Sequence, residues 1–292
     1  MIFTKINKEN IKILYPFLYQ NHYRLCDYSP LVLLLWRNYL DYRYCIEGDT
    51  LFLSQSEKGV TSFLLPITED MYNALILLKE HCKKNRLPFR LVALPESMTK
   101  TVKQITGLNA IDMGASNIDY AYDINSLSTL KGRRYSGKRN HINRFTRDFP
   151  DAQFVKLTAK DKHLVIDFLE QYHKDSISDA YSYYKDAVDK FASCFDEFDF
   201  LSGAIKMEGK LIAICFGDIV KDTLYVNIEM ALRSYSGIYE KINHEFINKY
   251  YNQNLLYVNR EEDMGDLGLR KAKLSYHPFL WRKYAIIEVH IL

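Results

Sequence analysis

Seventeen residues near the middle of the chain, KGRRYSGKRNHINRFTR from Lys131 to Arg147, hold seven basic side chains and a histidine but no acid. An arginine guanidinium is a planar fork of donors that matches a phosphate two bonds at a time, and the free N–H groups at a helix start add to the attraction. Arg133, Arg134, Lys138, Arg139 and Asn140 are therefore candidate contacts to a polyanionic donor. Ile142, Phe145 and Phe149 fall at offsets of three and seven, the apolar side of a helix that Gly137 begins or interrupts. The plainer account of the same residues is a solvated basic helix joining two domains.

A second stretch, NREEDMGDLGLRKAKLSYHP from Asn259 to Pro278, packs alternating charges behind an expected strand, with Gly265 and Gly268 allowing a tight loop. Open α/β sheets hold ligands at the C-terminal ends of their strands. Asn259, Arg260, Glu261, Lys271 and Tyr276 are thus expected to line a cleft. Within it Asp263 could take a proton from an attacking group, while Arg270 or Lys273 could steady a developing oxyanion. Glu229, near the end of an earlier expected strand, is the alternative proton acceptor. It precedes a loop in which Arg233, Gly237 and Tyr239 would meet the donor, with Gly237 permitting close backbone approach. A charged surface loop with intrahelical pairs competes with this reading, and in it Lys273 only lies along Leu274.

These segments need a frame, and the hydrophobic pattern reads as one order of elements used twice. In the first pass, helices are expected at 9–18 and 30–38, the latter opened by Ser29 as N-cap and Pro30 at its first position. Strands at 42–47, 50–55 and 60–66 follow, then a helix at 70–84 and a strand at 89–93. The second pass has a strand at 153–157, helices at 160–174 and 182–195, and strands at 200–207, 211–219 and 223–230. A helix at 238–250, a strand at 255–259, a helix at 267–274 and a strand at 284–291 complete it. This order resembles the acyl-CoA N-acyltransferase (GNAT-like) fold. The expectation is an α/β (α+β) tandem repeat with mixed, mostly antiparallel sheets flanked by helices, divided into domains 1–122 and 123–292. Where a donor phosphate would sit in the first repeat, Glu69 and Asp70 would repel it, so the first domain is expected to be structural.

The paired motifs KGRRYSGKRNHINRF and NREEDMGDLGLRKAKLSYHP are similar to the signature segments of an uncharacterised bacterial family grouped with the phosphatidylglycerol lysyltransferase C-terminal domain. They are more distantly similar to the Fem-type peptidyltransferases. The resemblance implies transfer of an aminoacyl or acyl group to an amine or hydroxyl acceptor with no covalent enzyme intermediate. Aminoacyl-tRNA is the favoured donor, and the acceptor would be a small molecule, a peptide or a lipid. No cofactor is firmly implied beyond the donor substrate itself, either a coenzyme A thioester or aminoacyl-tRNA. Two other readings stay open: a small-molecule N-acetyltransferase dependent on acyl-CoA, and a non-catalytic ligand-binding relative.

Composition removes other classes. With 48% hydrophobic and 26% charged residues the chain is an ordinary globular sequence, and a net charge of +3 is too small for attraction over its whole surface. Five scattered cysteines without a C-x-x-C pair point to reduced core thiols and no zinc site. The apolar run 31–36 is far below the roughly 20 residues of a membrane span, and the first residues lack a signal-peptide pattern. A cytoplasmic location is expected. His244-Glu245 starts like a zinc-protease helix, but Asn248 stands where the second histidine would, and neither a phosphate-binding GK[ST] loop nor a G-x-S-x-G elbow occurs.

Overall fold

Alternating apolar residues and glycine-bearing turns build the same sheet twice in the computed structural model, which describes residues 1–174 and 182–288. Strand β1 (Thr4–Lys5) precedes helices α1 (Tyr15–Leu18) and α2 (Pro30–Trp36), whose entry is set by Ser29: its hydroxyl accepts from the Val32 amide at 3.3 Å. Strands β2 (Arg43–Glu47), β3 (Thr50–Glu57) and β4 (Val60–Leu64) form an antiparallel meander. Helix α3 (Met71–Asn85) carries the chain to β5 (Phe89–Pro95), which lies parallel to β4. Helix α4 (Thr99–Thr106), β6 (Ile111–Asp112), β7 (Ile118–Asp123) and α5 (Ile124–Thr129) then lead into α6 (Ser136–Asp148).

The pattern repeats. Strand β8 (Gln153–Val155), α7 (Lys162–Lys174) and α8 (Ser182–Ala192) precede the antiparallel meander β9 (Leu201–Met207), β10 (Lys210–Val220) and β11 (Thr223–Ala231). Helix α9 (Ile238–Tyr250) leads to β12 (Tyr257–Asn259), parallel to β11, and α10 (Leu267–Leu274) and β13 (Phe279–Glu288) follow. β10 is buried at nearly every position and packs against α7 and α9, with Phe191 edge-on to Phe216 at 5.2 Å. At its bulge between Phe216 and Gly217, a Cβ on Gly217 would come 2.0 Å from the Tyr225 carbonyl oxygen. Only glycine lets the strands approach so closely there.

Each meander is completed by a parallel strand and then an antiparallel one, but the last strand is not the next in sequence. β5 is paired by β13, whereas β12 is paired by β7. The chain accordingly divides into a unit of Met1–Tyr120, Glu261–Lys273 and the described residues from Phe279 on, and a unit of Ala121–Arg260 with Leu274–Pro278. The chain first crosses between the units after Tyr120, and the later crossings follow from the exchanged strands. β13 begins at Phe279, five residues before the expected start, and the expected continuation over 289–291 lies outside the described residues. The expected strand at 255–259 is confined to Tyr257–Asn259. Among the described residues, no helix is long and apolar enough to cross a membrane.

Candidate active site

The parallel pairing of β11 with β12 runs only from Thr223↔Tyr257 to Tyr225↔Asn259, while β11 continues to Ala231. Past Tyr225 the sheet is open on that edge of β11. Glu229 stands on this unpaired length, and its two carboxylate oxygens accept from Arg260 Nη2 at 2.7 Å and from Asn243 Nδ2 at 2.6 Å. Arg260, the residue after β12, reaches back over the gap and lays its guanidinium 5.0 Å from the Tyr276 ring centroid and 6.0 Å from that of Tyr122. Lys138 Nζ, from α6, lies 4.0 Å from the same Tyr276 centroid and 3.3 Å from Glu240 Oε1 of α9. The Tyr135 hydroxyl donates to the Tyr276 carbonyl at 3.2 Å and fixes the backbone beneath the ring.

Two cations, two carboxylates and a tyrosine face thus meet in one cluster. Each of the four charged side chains keeps 10 to 17% of its surface exposed, so the group is mostly buried but still touches water. Burial pulls the Lys138 pKa below its ordinary value despite the opposing Glu240 carboxylate, and it pushes the Tyr276 hydroxyl up. A lysine poised in this way yields a proton more readily, and Arg260 stays charged; the pair suits a site where negative charge develops on oxygen.

The sequence-predicted residues divide among distinct tasks. Glu229, Lys138, Arg260 and Tyr276 meet as described, with buried Asn259 ending β12 beside them. Arg133, Arg134 and Asn140 are exposed at the start of α6, with Arg134 placed over the Tyr135 ring at 4.9 Å. Arg139 is turned to the backbone instead: it donates to the Gly132 carbonyl at 2.8 Å and to that of Leu130, closing the turn after α5. Arg233 is exposed in the loop before α9, and Tyr239 is half-buried, its hydroxyl bonded to Tyr172.

Gly237 departs from its expected role. It is the N-cap of α9 at φ 86°, and a Cβ there would lie 2.4 Å from the His141 carbonyl oxygen. The close approach it permits is to the backbone of α6, which packs over the first turn of α9 where a donor phosphate was expected.

The remaining predicted residues belong to the other unit. Asp263, fully buried, accepts from Arg270 Nε at 2.6 Å and Nη2 at 3.1 Å, from the Tyr120 hydroxyl at 2.6 Å and from the Gly265 amide at 2.8 Å. Although burial alone would raise it, the Arg270, Tyr120 and Gly265 hydrogen bonds hold its pKa down at about 2. A carboxylate so held is a poor proton acceptor, and Arg270 is engaged in holding it. Lys273 is buried and donates to the Glu261 carbonyl at 3.2 Å and to that of Glu262, while Lys271 is exposed on α10. These side chains brace the loop after Arg260; they do not join Glu229.

In the same unit Cys26, Asp27, Asp119 and Glu262 bring ligand atoms within 4.8 Å of one another, a spacing that would suit a metal ion. The Lys283 ammonium already sits among them, 2.6 Å from Asp27, 2.9 Å from Asp119, in contact with Glu262 and 3.3 Å from Cys26 Sγ. The protein supplies its own cation. Asn243, Glu240 and Tyr122 escaped sequence reasoning, although Asn243 left a signal: it is a polar residue in the apolar stripe Ile238, Ile242, Phe246 and Ile247 of α9. Lys283 left no such signal, since Arg282 beside it and Glu288 also put charge in the same strand.

The fold is thus two units, each an antiparallel meander extended by a parallel strand, and the second holds the charged cluster beside β11. Residues 22–287 match the family model described as phosphatidylglycerol lysyltransferase, C-terminal, and the chain belongs to that family. A conserved protein of unknown function from Bacteroides thetaiotaomicron shares 28% identity and a TM-score of 0.91, covering 99% of this chain and 100% of that one. The C-terminal domain of a putative lysylphosphatidylglycerol synthetase from Agrobacterium fabrum has the same fold at 13% identity, with a TM-score of 0.70 over 97% of this chain and 92% of that one. An uncharacterised protein of Mycoplasmoides gallisepticum is 22% identical over 179 residues, 59% of this chain; the match spans 56% of that relative's length. The family and its fold support an acyltransferase-like function.

Proposed function

We propose that the Tyr276 site transfers an aminoacyl or acyl group from an anionic donor, aminoacyl-tRNA foremost, to an amine or hydroxyl acceptor. The observation that carries this reading is the meeting of Lys138 and Arg260 over one tyrosine, each cation matched to a glutamate. In the step envisaged, the acceptor's lone pair attacks the donor ester carbonyl, and Arg260 and Lys138 stabilise the oxyanion. Glu240 takes the acceptor's proton, and collapse of the tetrahedral centre releases the donor hydroxyl, protonated by Lys138. Glu229 holds Arg260 in place.

The exposed cations Lys131, Arg133 and Arg134 favour a polyanion, while Arg144 and Arg147 share Asp148. The packing of α6 over the start of α9 disfavours coenzyme A, whose pyrophosphate would need that helix end. Aminoacyl transfer from a charged tRNA pool to candidate acceptors, followed in a single turnover, tests the proposal. Lys138→Met is expected to slow transfer by about 10²- to 10³-fold, as loss of one oxyanion donor does. Undiminished turnover by that variant, or protection by coenzyme A and not by tRNA in thermal unfolding, would overturn it.

A further inference from the structure

A cavity of about 490 Å³ opens between α7 and α8, away from every residue assigned a role above. That volume is within the range of about 300 to 1,000 Å³ typical of small-molecule sites. Ile166, Leu169 and Ala192 give it an apolar floor, while its rim carries both signs of charge: Glu170 and Asp189 against Lys174 and Lys185. His173 stands between them with only 12% of its side chain exposed, Nε2 at 2.9 Å from Asp189 Oδ1. Among the described lining residues, two carboxylates and two ammonium groups complement a ligand that itself bears both charges. A purely anionic ligand would meet Glu170 and Asp189 at close quarters, and a purely cationic one would meet Lys174 and Lys185.

We propose that the α7–α8 cavity binds a small zwitterion, with an ammonium at Glu170 and Asp189 and an acid group at Lys174 and Lys185. This binding does not rest on the transfer reading. Titrating the full chain with glycylglycine, and separately with ethylamine and with acetate, while following the His173 ring and the Ile166, Leu169 and Ala192 methyl resonances, tests the site. Saturable shifts with glycylglycine are expected, weakened at least tenfold in Glu170→Gln and in Asp189→Asn. Equal shifts from ethylamine or acetate, or none from glycylglycine at millimolar concentration, would overturn the proposal. A failed transfer assay with intact zwitterion binding would instead remove only the Tyr276 reading, because the two measurements report on different residues.

Discussion

Asp263 receives four hydrogen bonds, and a carboxylate stabilised that heavily resists protonation. Its folded pKa, about 2, lies below the ordinary aspartate value near 3.9. The sign follows: Asp263 contributes stability that is complete above about pH 4 and is lost as pH falls through about 2. Asp263→Asn should therefore unfold more easily at pH 7, because Arg270, Tyr120 and the Gly265 amide lose a buried charged acceptor, and the gap from wild type should narrow between pH 4 and 2. Urea denaturation at a series of pH values checks both, and a constant gap would show that the carboxylate charge is immaterial. Residue types and spacing placed Asp263 near chemistry but did not reveal its use. Its partner Tyr120 is 143 residues away, and no local pattern announces a pairing of that length. Arg260 and Tyr276, expected in a cleft, and Lys138, expected at a donor, stood out in the sequence because charge that dense is itself unusual.

Helices and meanders were legible because their signals are local. Ser29 caps α2, positive φ at Glu208 and Gly209 turns β9 into β10, and α9 spans the same residues that its apolar spacing predicts. α4 was missed because its apolar side, Val102 and Ile105, spans only eight residues. β7 was missed because a buried aspartate, Asp119, sits where a strand core should be apolar, and its satisfaction by Lys283 is a tertiary fact. Gly237 was legible as a close approach but not to what. Its observed contact yields an expectation for the α6–α9 pair: Gly237→Ala combines a left-handed backbone with a 2.4 Å clash against the His141 carbonyl. The backbone strain alone is worth about 1 to 3 kcal/mol. A lower melting temperature together with slower transfer is expected, since α6 carries Lys138 and α9 carries Glu240. An unchanged melting temperature would mean that α6 yields easily and that the packing is not what positions the site.

Across the whole molecule the exchanged strands decide which loops belong to which sheet. β13 closes the first unit, and Lys283 carries that closure inward, its ammonium 1% exposed among Asp27, Asp119 and Glu262. Burial works against the charge on Lys283, but the surrounding carboxylates more than offset it and raise its pKa; burial likewise raises that of Glu262. A raised lysine pKa contributes stability below the unfolded value near 10.4 that is lost only as pH climbs through the folded value, so the wild type should show no lysine transition at neutral pH. Lys283→Met removes the one cation and leaves three carboxylates facing each other, which should cost about 3 to 5 kcal/mol at pH 7. Below neutrality the variant should recover: its folded state binds more protons than its unfolded state, so stability rises as pH falls from 7 toward 5, opposite to the Asp263 effect. A double variant, Lys283→Met with Glu262→Gln, should regain part of the loss at pH 7 and flatten that slope. Thermal unfolding of the three proteins between pH 5 and 8 reads the result. A Lys283→Met protein whose stability is independent of pH would show that the carboxylates relax into water, and that the exchanged strand is held by its backbone pairing with β5 and β6.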